Sequence, residues 1–475
     1  MVAWKKTMMA SAGGAGGYWI LRYNYQDPSG TDIATQAGGM IIINDVLYSQ
    51  TYQTGIPNTS DENGALIVKI GIDGVIGDKL NYYDNTTPHQ YMLPTGLSYD
   101  GNKIYSAGNH QYQGNTTQVG YVAQIDPSTF SLDWWSRLPS TAVVNTFACY
   151  AVGDGGSNVY SVQNYQGSNY YRATIDVLKP SDGTRQSTVW AGTPREVYAG
   201  SNNCFVYNAV YDDVNDYILV TGQALGTGGR GGYEAWQFAV DTNLSGSPSL
   251  AWKRSNSGSN STDVSTSQFI DSSQNVYIAV RAGHISWVRK RNSSGTVQWT
   301  ANLSPNNPTP AGDNSTQVDS VTVDSSGNVY VSGYRSDGNA STDRCTFIQK
   351  YNSSGTFQWA VTIKHTNGYN QGPTNYSDGL VLSNDESTLF CQTRMYDSNE
   401  GIAHPVIIAY PTDGSLTGTY GDWTIASYTF TAEGTSLFDN SGAGITISAR
   451  SITRSTASFN DTNSITINEI EKQDL

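Results

Sequence analysis

Two decapeptides constrain this chain more than any other feature: Asp324 to Gly333 reads DSSGNVYVSG, and Asp271 to Val280 reads DSSQNVYIAV. A near-copy within one chain means one supersecondary unit used repeatedly. Looser copies follow in NDVLYSQ, DGNKIYSAG, GGSNVYSV, NDYILVTG and ESTLFCQT. Their large apolar anchors are Tyr48, Tyr105, Tyr160, Leu219, Tyr277, Tyr330 and Phe390, seven in all, at intervals of 53 to 60 residues. A turn of Asp, Ser, Gly or Asn followed by alternating apolar residues is the second half of a β-hairpin. The preceding strand is visible at Val318, Val321 and Val323.

A second block recurs beyond each anchor. It is clearest as FIQKYNSSGTFQW ending at Trp359 and WVRKRNSSGTVQW ending at Trp299. Weaker copies end at Trp134 and Trp135, Trp190, Trp252 and Trp423, while the first unit, around Asp73 and Gly74, has no Trp. Two hairpins per unit make four strands, and four-stranded units at this period predict an all-β propeller of about seven blades, with eight as the alternative. The tryptophans then fall on the outermost strand and pack between blades. The start of the chain fits closure of such a ring. Trp4 with Lys5 and Lys6 is similar to the segment beginning at Trp359, and Tyr18 to Gly30 resembles CTFIQKYNSSG around Tyr351. Pairing of the N- and C-terminal strands would leave no sheet edge at the seam. Residues 1–427 are read as propeller repeats. Residues 428–475 alternate like strands but lack the anchor, so they are read as ring closure, an irregular extra blade or an attachment arm.

Composition agrees with short strands and many turns: 49 Gly, 32 Tyr, 14% charged and 11% aromatic residues. The aromatic content supplies core side chains that a disordered chain lacks. A net charge of −14 with only 26 Lys and Arg opposes nucleic-acid binding, and no stretch approaches the roughly 20 apolar residues needed to insert in a membrane. Met1 to Tyr18 lacks the apolar centre of a signal peptide and is read as mature structure. Cys149, Cys204, Cys345 and Cys391 are far apart and are read as free, buried thiols. Sequons at Asn85, Asn115, Asn260 and Asn375 are what a chain rich in Asn, Ser and Thr generates by chance.

The units DSSGNVYVSGY and KYNSSGTFQW resemble the bacterial β-propeller repeat abbreviated SBBP. They are also similar to repeats in virion structural and tail proteins of marine and cyanobacterial phages. The resemblance runs from about Met1 to Ser427, strong in two units and degenerate in five. It implies a non-enzymatic virion structural protein, in a tail fibre, tail tip or capsid appendage, acting in host-surface attachment or virion assembly. Its partners would be other virion proteins and a host-surface glycan or protein, its location the virion, assembled in the host cytoplasm. The alternatives are an exported bacterial cell-surface binding propeller and a polysaccharide-degrading depolymerase.

No catalytic or metal constellation emerges, and no cofactor is expected. His89, His110, His284, His365 and His404 show no metal-ligand spacing. Asp212, Asp213 and Asp216 lack the full calcium-loop spacing and suit a turn. GTGGRGGY, from Gly226 to Tyr233, lacks the GK[ST] ending of a phosphate loop. Gly355 and Trp359 are four apart, whereas sialidase Asp boxes place these residue types three apart. A glycosidase's carboxylate pair would come from different blades and cannot be found by spacing. The candidate ligand surface is the set of loops between second and third strands, which should share one rim. They bring His110 and Tyr112; Tyr165, Tyr170 and Tyr171; Arg230 and Tyr233; Tyr334 and Arg335; and Arg394 and Tyr396. Tyrosine offers flat apolar area with a hydroxyl at low entropic cost, which suits a sugar ring or a protein surface.

Overall fold

The computed structural model describes residues 17–26, 32–54, 65–84, 90–112, 118–137, 149–166, 170–188, 190, 194–199, 202–225, 232–242, 248–257, 263–283, 285–303, 316–336, 344–370, 379–428, 438–440, 445–449, 455–456, 459–461 and 466–474. The chain starts with β1 (Trp19–Gln26). Blade 1 is β2 (Asp32–Ile43), β3 (Val46–Thr54), β4 (Ala65–Gly71) and β5 (Ile76–Asp84). Blade 2 is β6 (Gln90–Tyr99), β7 (Ile104–Tyr112), β8 (Gln118–Asp126) and β9 (Ser131–Arg137). Blade 3 is β10 (Cys149–Gly153), β11 (Val159–Gln166), β12 (Tyr171–Leu178) and β13 (Arg195–Ala199). Blade 4 is β14 (Cys204–Asp212), β15 (Tyr217–Leu225), β16 (Tyr233–Asp241) and β17 (Leu250–Ser257). Blade 5 is β18 (Asp263–Ile270), β19 (Val276–Ala282), β20 (Ile285–Arg291) and β21 (Val297–Asn302). Blade 6 is β22 (Thr316–Val323), β23 (Val329–Ser336), β24 (Arg344–Tyr351) and β25 (Phe357–His365). Blade 7 has a first strand in two pieces, β26 (Gly368–Asn370) and β27 (Leu380–Leu382), both paired to β28 (Thr388–Asp397), then β29 (Ile402–Pro411). Its fourth strand is β1, whose Trp19 pairs with Ala409 and Arg22 with Val406. The seven anchors lie on the seven second strands, so the ring is a seven-bladed propeller closed by its N-terminal strand.

Local chemistry explains why these sequences make hairpins. In blade 6, Asp324 Oδ1 accepts the backbone N–H groups of Ser326 (3.0 Å) and Asn328 (2.8 Å). Its Oδ2 accepts Asn328 Nδ2 (2.8 Å) and the Tyr330 hydroxyl (3.0 Å). Asp271 does the same for Ser273, Asn275 and Tyr277. One carboxylate therefore fixes the turn and fastens the anchor tyrosine behind it. Burial, then the adjacent carboxylate, holds the phenols of Tyr277 and Tyr330 well above their ordinary pKa. In the second hairpin, Asn352 Oδ1 accepts the N–H groups of Ser354 (3.1 Å) and Thr356 (2.9 Å), and Gly355 turns the chain at φ 80°.

The tryptophans staple blade to blade. Trp134, Trp252, Trp299 and Trp359 each donate the indole N–H to a carbonyl in the turn that follows the next blade's third strand: Pro180 (2.8 Å), Ser293 (2.9 Å), Ser353 (3.0 Å) and Thr412 (3.3 Å). A left-handed glycine of that same turn lies on the indole. A Cβ on Gly183, Gly295, Gly355 or Gly414 would come within 2.4 to 2.7 Å of the ring, so each position admits only Gly. Apolar clusters follow the same plan, one at each of the seven blade junctions, with the junction of blades 7 and 1 built on Trp19, Leu21, Leu66 and Ile407.

The structure corrects one reading of the ends. Blade 7's outer tryptophan is Trp19, which donates to the Ile72 carbonyl of blade 1 (2.8 Å), and not Trp423. β1 supplies the fourth strand that closes the ring, as the closure reading expects, and it resembles the third-strand block around Tyr351 because both strand types alternate apolar residues toward a neighbouring blade. Trp4, Lys5 and Lys6 lie outside the described residues. Trp423 instead belongs to β31 (Trp423–Ser427), which follows the short β30 (Gly418–Tyr420) and pairs with the outer edge of blade 6, its ring 4.8 Å from His365.

From β31 the chain becomes a belt. β32 (Phe438–Asn440) pairs with β17 of blade 4, β33 (Ile445–Ala449) with β13 of blade 3, and β34 (Ser455–Thr456) with β9 of blade 2. β35 (Phe459–Asp461) pairs with β5 of blade 1, and β36 (Thr466–Asp474) with β1 of blade 7. Every pairing is antiparallel, and the blades are visited in the reverse of their order in the chain. The belt covers edge after edge that would otherwise offer unpaired N–H and C=O groups to other chains. Cys204, Cys345 and Cys391 are buried thiols; the side chain of Cys149 lies outside the described residues.

Candidate functional site

The two rims of the disc differ. One carries tight hairpins such as 324–328 and 352–356, held by the Asp and Asn turns. The other carries the long connections, for example between Asn302 and Thr316 and between Ser336 and Arg344. The described residues among those singled out in the sequence sit at this second rim. Tyr165 ends β11, Tyr171 starts β12, Tyr233 starts β16, Tyr334 and Arg335 end β23, and Arg394 and Tyr396 end β28. His110 and Tyr112 end β7, their side chains outside the described residues, as is Arg230 altogether.

Blades 3 and 4 gather several of them. The Tyr171 ring lies 5.0 Å from Phe205, and Phe205 lies 6.0 Å from Tyr233, giving a tilted row of three half-buried rings. Asn203 braces the row: its Oδ1 accepts the Tyr171 N–H (2.9 Å) and its Nδ2 donates to the Tyr233 hydroxyl (3.5 Å). Tyr170, 38% exposed, precedes Tyr171 in the chain. The next residue of β12, Arg172, covers the Tyr198 ring at 4.4 Å and meets Glu196 at 3.5 Å. Sequence reasoning missed Phe205, a first-strand residue whose surroundings alternate as any strand does.

Other expected residues serve packing. Tyr334 is 8% exposed, donates to Gln317 Oε1, and its ring lies 5.6 Å from the Arg281 and 5.1 Å from the Arg344 guanidinium group. Arg335 lies over Tyr428 at 4.8 Å, at the start of the belt. Tyr396 packs on Tyr369 at 5.2 Å. Blade 7 adds a polar group that the sequence did not announce. Arg22 pairs with Asp397 and lies 3.6 Å from Glu400, which in turn meets the fully buried His404 at 2.6 Å. Burial pushes His404 below its ordinary pKa, and the Glu400 carboxylate, acting in the opposite direction, does not offset it. Burial works to raise Asp397, but the Asn399 N–H and the Arg22 guanidinium outweigh it and hold the carboxyl low.

On the hairpin rim, the first strands of blades 2, 3 and 4 border a cavity of about 420 Å³ lined by Tyr99, Tyr150, Tyr211, Asp100, Asp154 and Asp213 among others. Most of its polar groups are engaged locally. Asp100 and Asp154 hold their own turns, and Tyr211 donates to Asp216 while stacking on Tyr160 at 5.6 Å. Asp212 accepts the N–H groups of Val214 and Asn215, which is the turn role its sequence suggests. Among the described residues, no group of three or more His, Cys, Asp and Glu is placed to hold a metal ion.

Residues 298–334 match the SBBP family, described as a β-propeller repeat. The chain folds as a seven-bladed propeller of SBBP type. The matched segment runs from the last strand of blade 5 into the second strand of blade 6, so the sequence repeat is out of phase with the blade. No curated protein matches the chain. Among solved structures, a protein of unknown function from Dyadobacter fermentans is similar over 82% of this chain and 94% of its own, at 11% identity and a TM-score of 0.41. A prolyl endopeptidase structure matches 80% of this chain and 50% of its own at 11% identity and 0.41. The NanB sialidase of Streptococcus pneumoniae matches 85% and 70% at 8% identity and 0.40.

Proposed function

We propose that the protein is a non-enzymatic attachment disc of a phage virion, in a tail fibre, tail tip or capsid appendage, whose loop-bearing rim binds a host-surface glycan or protein. The supporting observation is the row Tyr171, Phe205 and Tyr233, braced by Asn203 and preceded in the chain by the exposed Tyr170. Tilted, half-buried rings offer the C–H faces of a sugar a rigid apolar surface, with phenol and amide groups alongside for its hydroxyls. The tight hairpins of the opposite rim spend their carboxylates on backbone N–H groups, which favours scaffolding over chemistry there. The virion setting rests on the resemblance of the two best repeat copies.

Two measurements test this reading. Mass spectrometry of purified particles should find peptides of this chain at stoichiometric level; their absence would sink the virion setting. Replacement of Tyr170 and Tyr233 by Ala should weaken binding to host-surface glycan roughly fivefold per ring, while the melting temperature stays nearly unchanged. Unaltered binding by the double variant would remove the row from the interface.

A second reading, a polysaccharide-degrading enzyme, is favoured by one observation, the rim carboxylate Glu400 beside the buried imidazole of His404. Release of reducing ends from host capsule by the pure protein would support it.

A further inference from the structure

Blade 5 breaks the repeat at two positions, and the break faces the belt. Blade 6 has Gln349 and Tyr351 on its third strand, bonded to each other at 2.8 Å, with Gln349 Nε2 donating to the belt's Tyr428 hydroxyl. The matching block of blade 5, WVRKRNSSG against FIQKYNSSG, puts Arg289 and Arg291 there. Their side chains are 3% and 0% exposed. Two guanidinium groups so placed forfeit hydration and repel each other, and the arrangement is stable only with an anion between them. Burial, and then the neighbouring Arg291, pushes Arg289 down to about 10.

The structure supplies that anion from the belt. Asp439 Oδ1 lies 2.6 Å from Arg291 Nη2 and 3.5 Å from Arg289 Nη1. Both guanidinium groups also donate to Asn256 Oδ1 on β17, whose backbone pairs with Asp439 itself. Arg291 Nη1 is held by the Gly295 carbonyl (2.9 Å) and Arg289 Nε by Thr300 (2.9 Å), so the two groups are aimed before the carboxylate arrives. Nearby, Lys253 Nζ donates to the carbonyl of Ile445, the next belt strand. In a chain with only 26 Lys and Arg, this convergence beneath one acidic belt residue is a built receptor. The Asp439 side chain keeps 30% of its surface exposed, so the position it fills opens to solvent.

We infer that blades 4 and 5 carry a carboxylate-binding site made of Arg289, Arg291 and Asn256, that its resident ligand is the belt's own Asp439, and that this contact latches the belt. A carboxylate from elsewhere competes for the same two guanidinium groups once Asp439 is displaced.

Chemical rescue of the full chain tests the inference. Asp439→Ala should lower the melting temperature by on the order of 5 °C, and amides of β32 and β33 should exchange roughly tenfold faster. Acetate should restore both saturably in this variant, beyond what chloride does at equal ionic strength, and should change neither in the wild type. Adding Arg289→Lys to Asp439→Ala should weaken the acetate response several-fold, because the bidentate geometry is lost. Rescue by acetate and chloride alike, or an Asp439→Ala chain that melts and exchanges like the wild type, would overturn the assignment. Asp439→Asn, which keeps the shape and removes the charge, should behave as Asp439→Ala; wild-type behaviour there would show that packing, and not the carboxylate, holds the belt.

Discussion

A chain ended after Ser427 is expected to lose on the order of 10 °C in melting temperature and to self-associate as its concentration rises. The loss follows from the ladders removed. β36 alone covers eight residues of β1, and β33 covers five of β13. At about 1 kcal/mol net or less per backbone bond, the set contributes several kcal/mol. The association follows from what is uncovered: the outer edges of blades 7, 1, 2, 3 and 4 all become strand templates at once. Calorimetry with sedimentation velocity at two concentrations measures both effects. An unchanged melting temperature with concentration-independent sedimentation would mean that the belt contributes nothing to the disc.

The second large effect is expected at the seam. Trp19→Ala should cost about 4 kcal/mol, measured by denaturant unfolding, and Trp299→Ala about half of that. Trp19 is fully buried, packs against Phe390 at 5.9 Å and donates its indole N–H to Ile72, joining the strand that closes blade 7 to blade 1. Trp299 makes the equivalent bond from a half-buried position between two blades that are also continuous in sequence. If Trp299→Ala proved the more damaging, the seam would be no weaker than an ordinary junction. The staple would then be a matter of local packing alone.

These two tests bear on the parts of the molecule that its sequence disclosed best and worst. The blades were readable because their determinants are local. Asp, the Asn four residues on and the Tyr six residues on are all bonded within one turn, so each hairpin prints its own signature, as at Asp271 and Asp324. Trp134, Trp252, Trp299 and Trp359 were readable on their outer strands for a similar reason, since the partner glycine recurs at a fixed place in the next unit; Trp190, expected there too, precedes β13 and packs on Tyr160 of its own blade. At the ends of the chain locality fails. Trp19 and Trp423 stand in similar alternating segments, and only pairing with β29 or with β25 distinguishes a fourth strand from a belt strand. Belt strands of two to nine residues carry no turn motif of their own, and their addresses lie from tens to hundreds of residues upstream. The rim was half readable. Tyr171 and Tyr233 meet across two blades, but Phe205 between them has no mark in sequence, and Tyr334 and Arg335, which look equally suited to a ligand, are absorbed by Gln317 and by the belt's Tyr428.

The pairing of β1 with β36 sets the response of the disc to mechanical load. Trp19 lies opposite Asp474 and Gln26 opposite Thr466, so a pull applied between Trp19 and Asp474 opens this ladder from one end, a pair at a time, as a zipper and not in shear. Continued pulling reaches blade 1, then 2, 3, 4 and 6, each detachment lengthening the tether while the four-stranded blades stay folded. Force applied across the face of the disc meets the blades and their indole staples instead. The molecule would therefore yield gradually along its circumference and hold firm through its thickness.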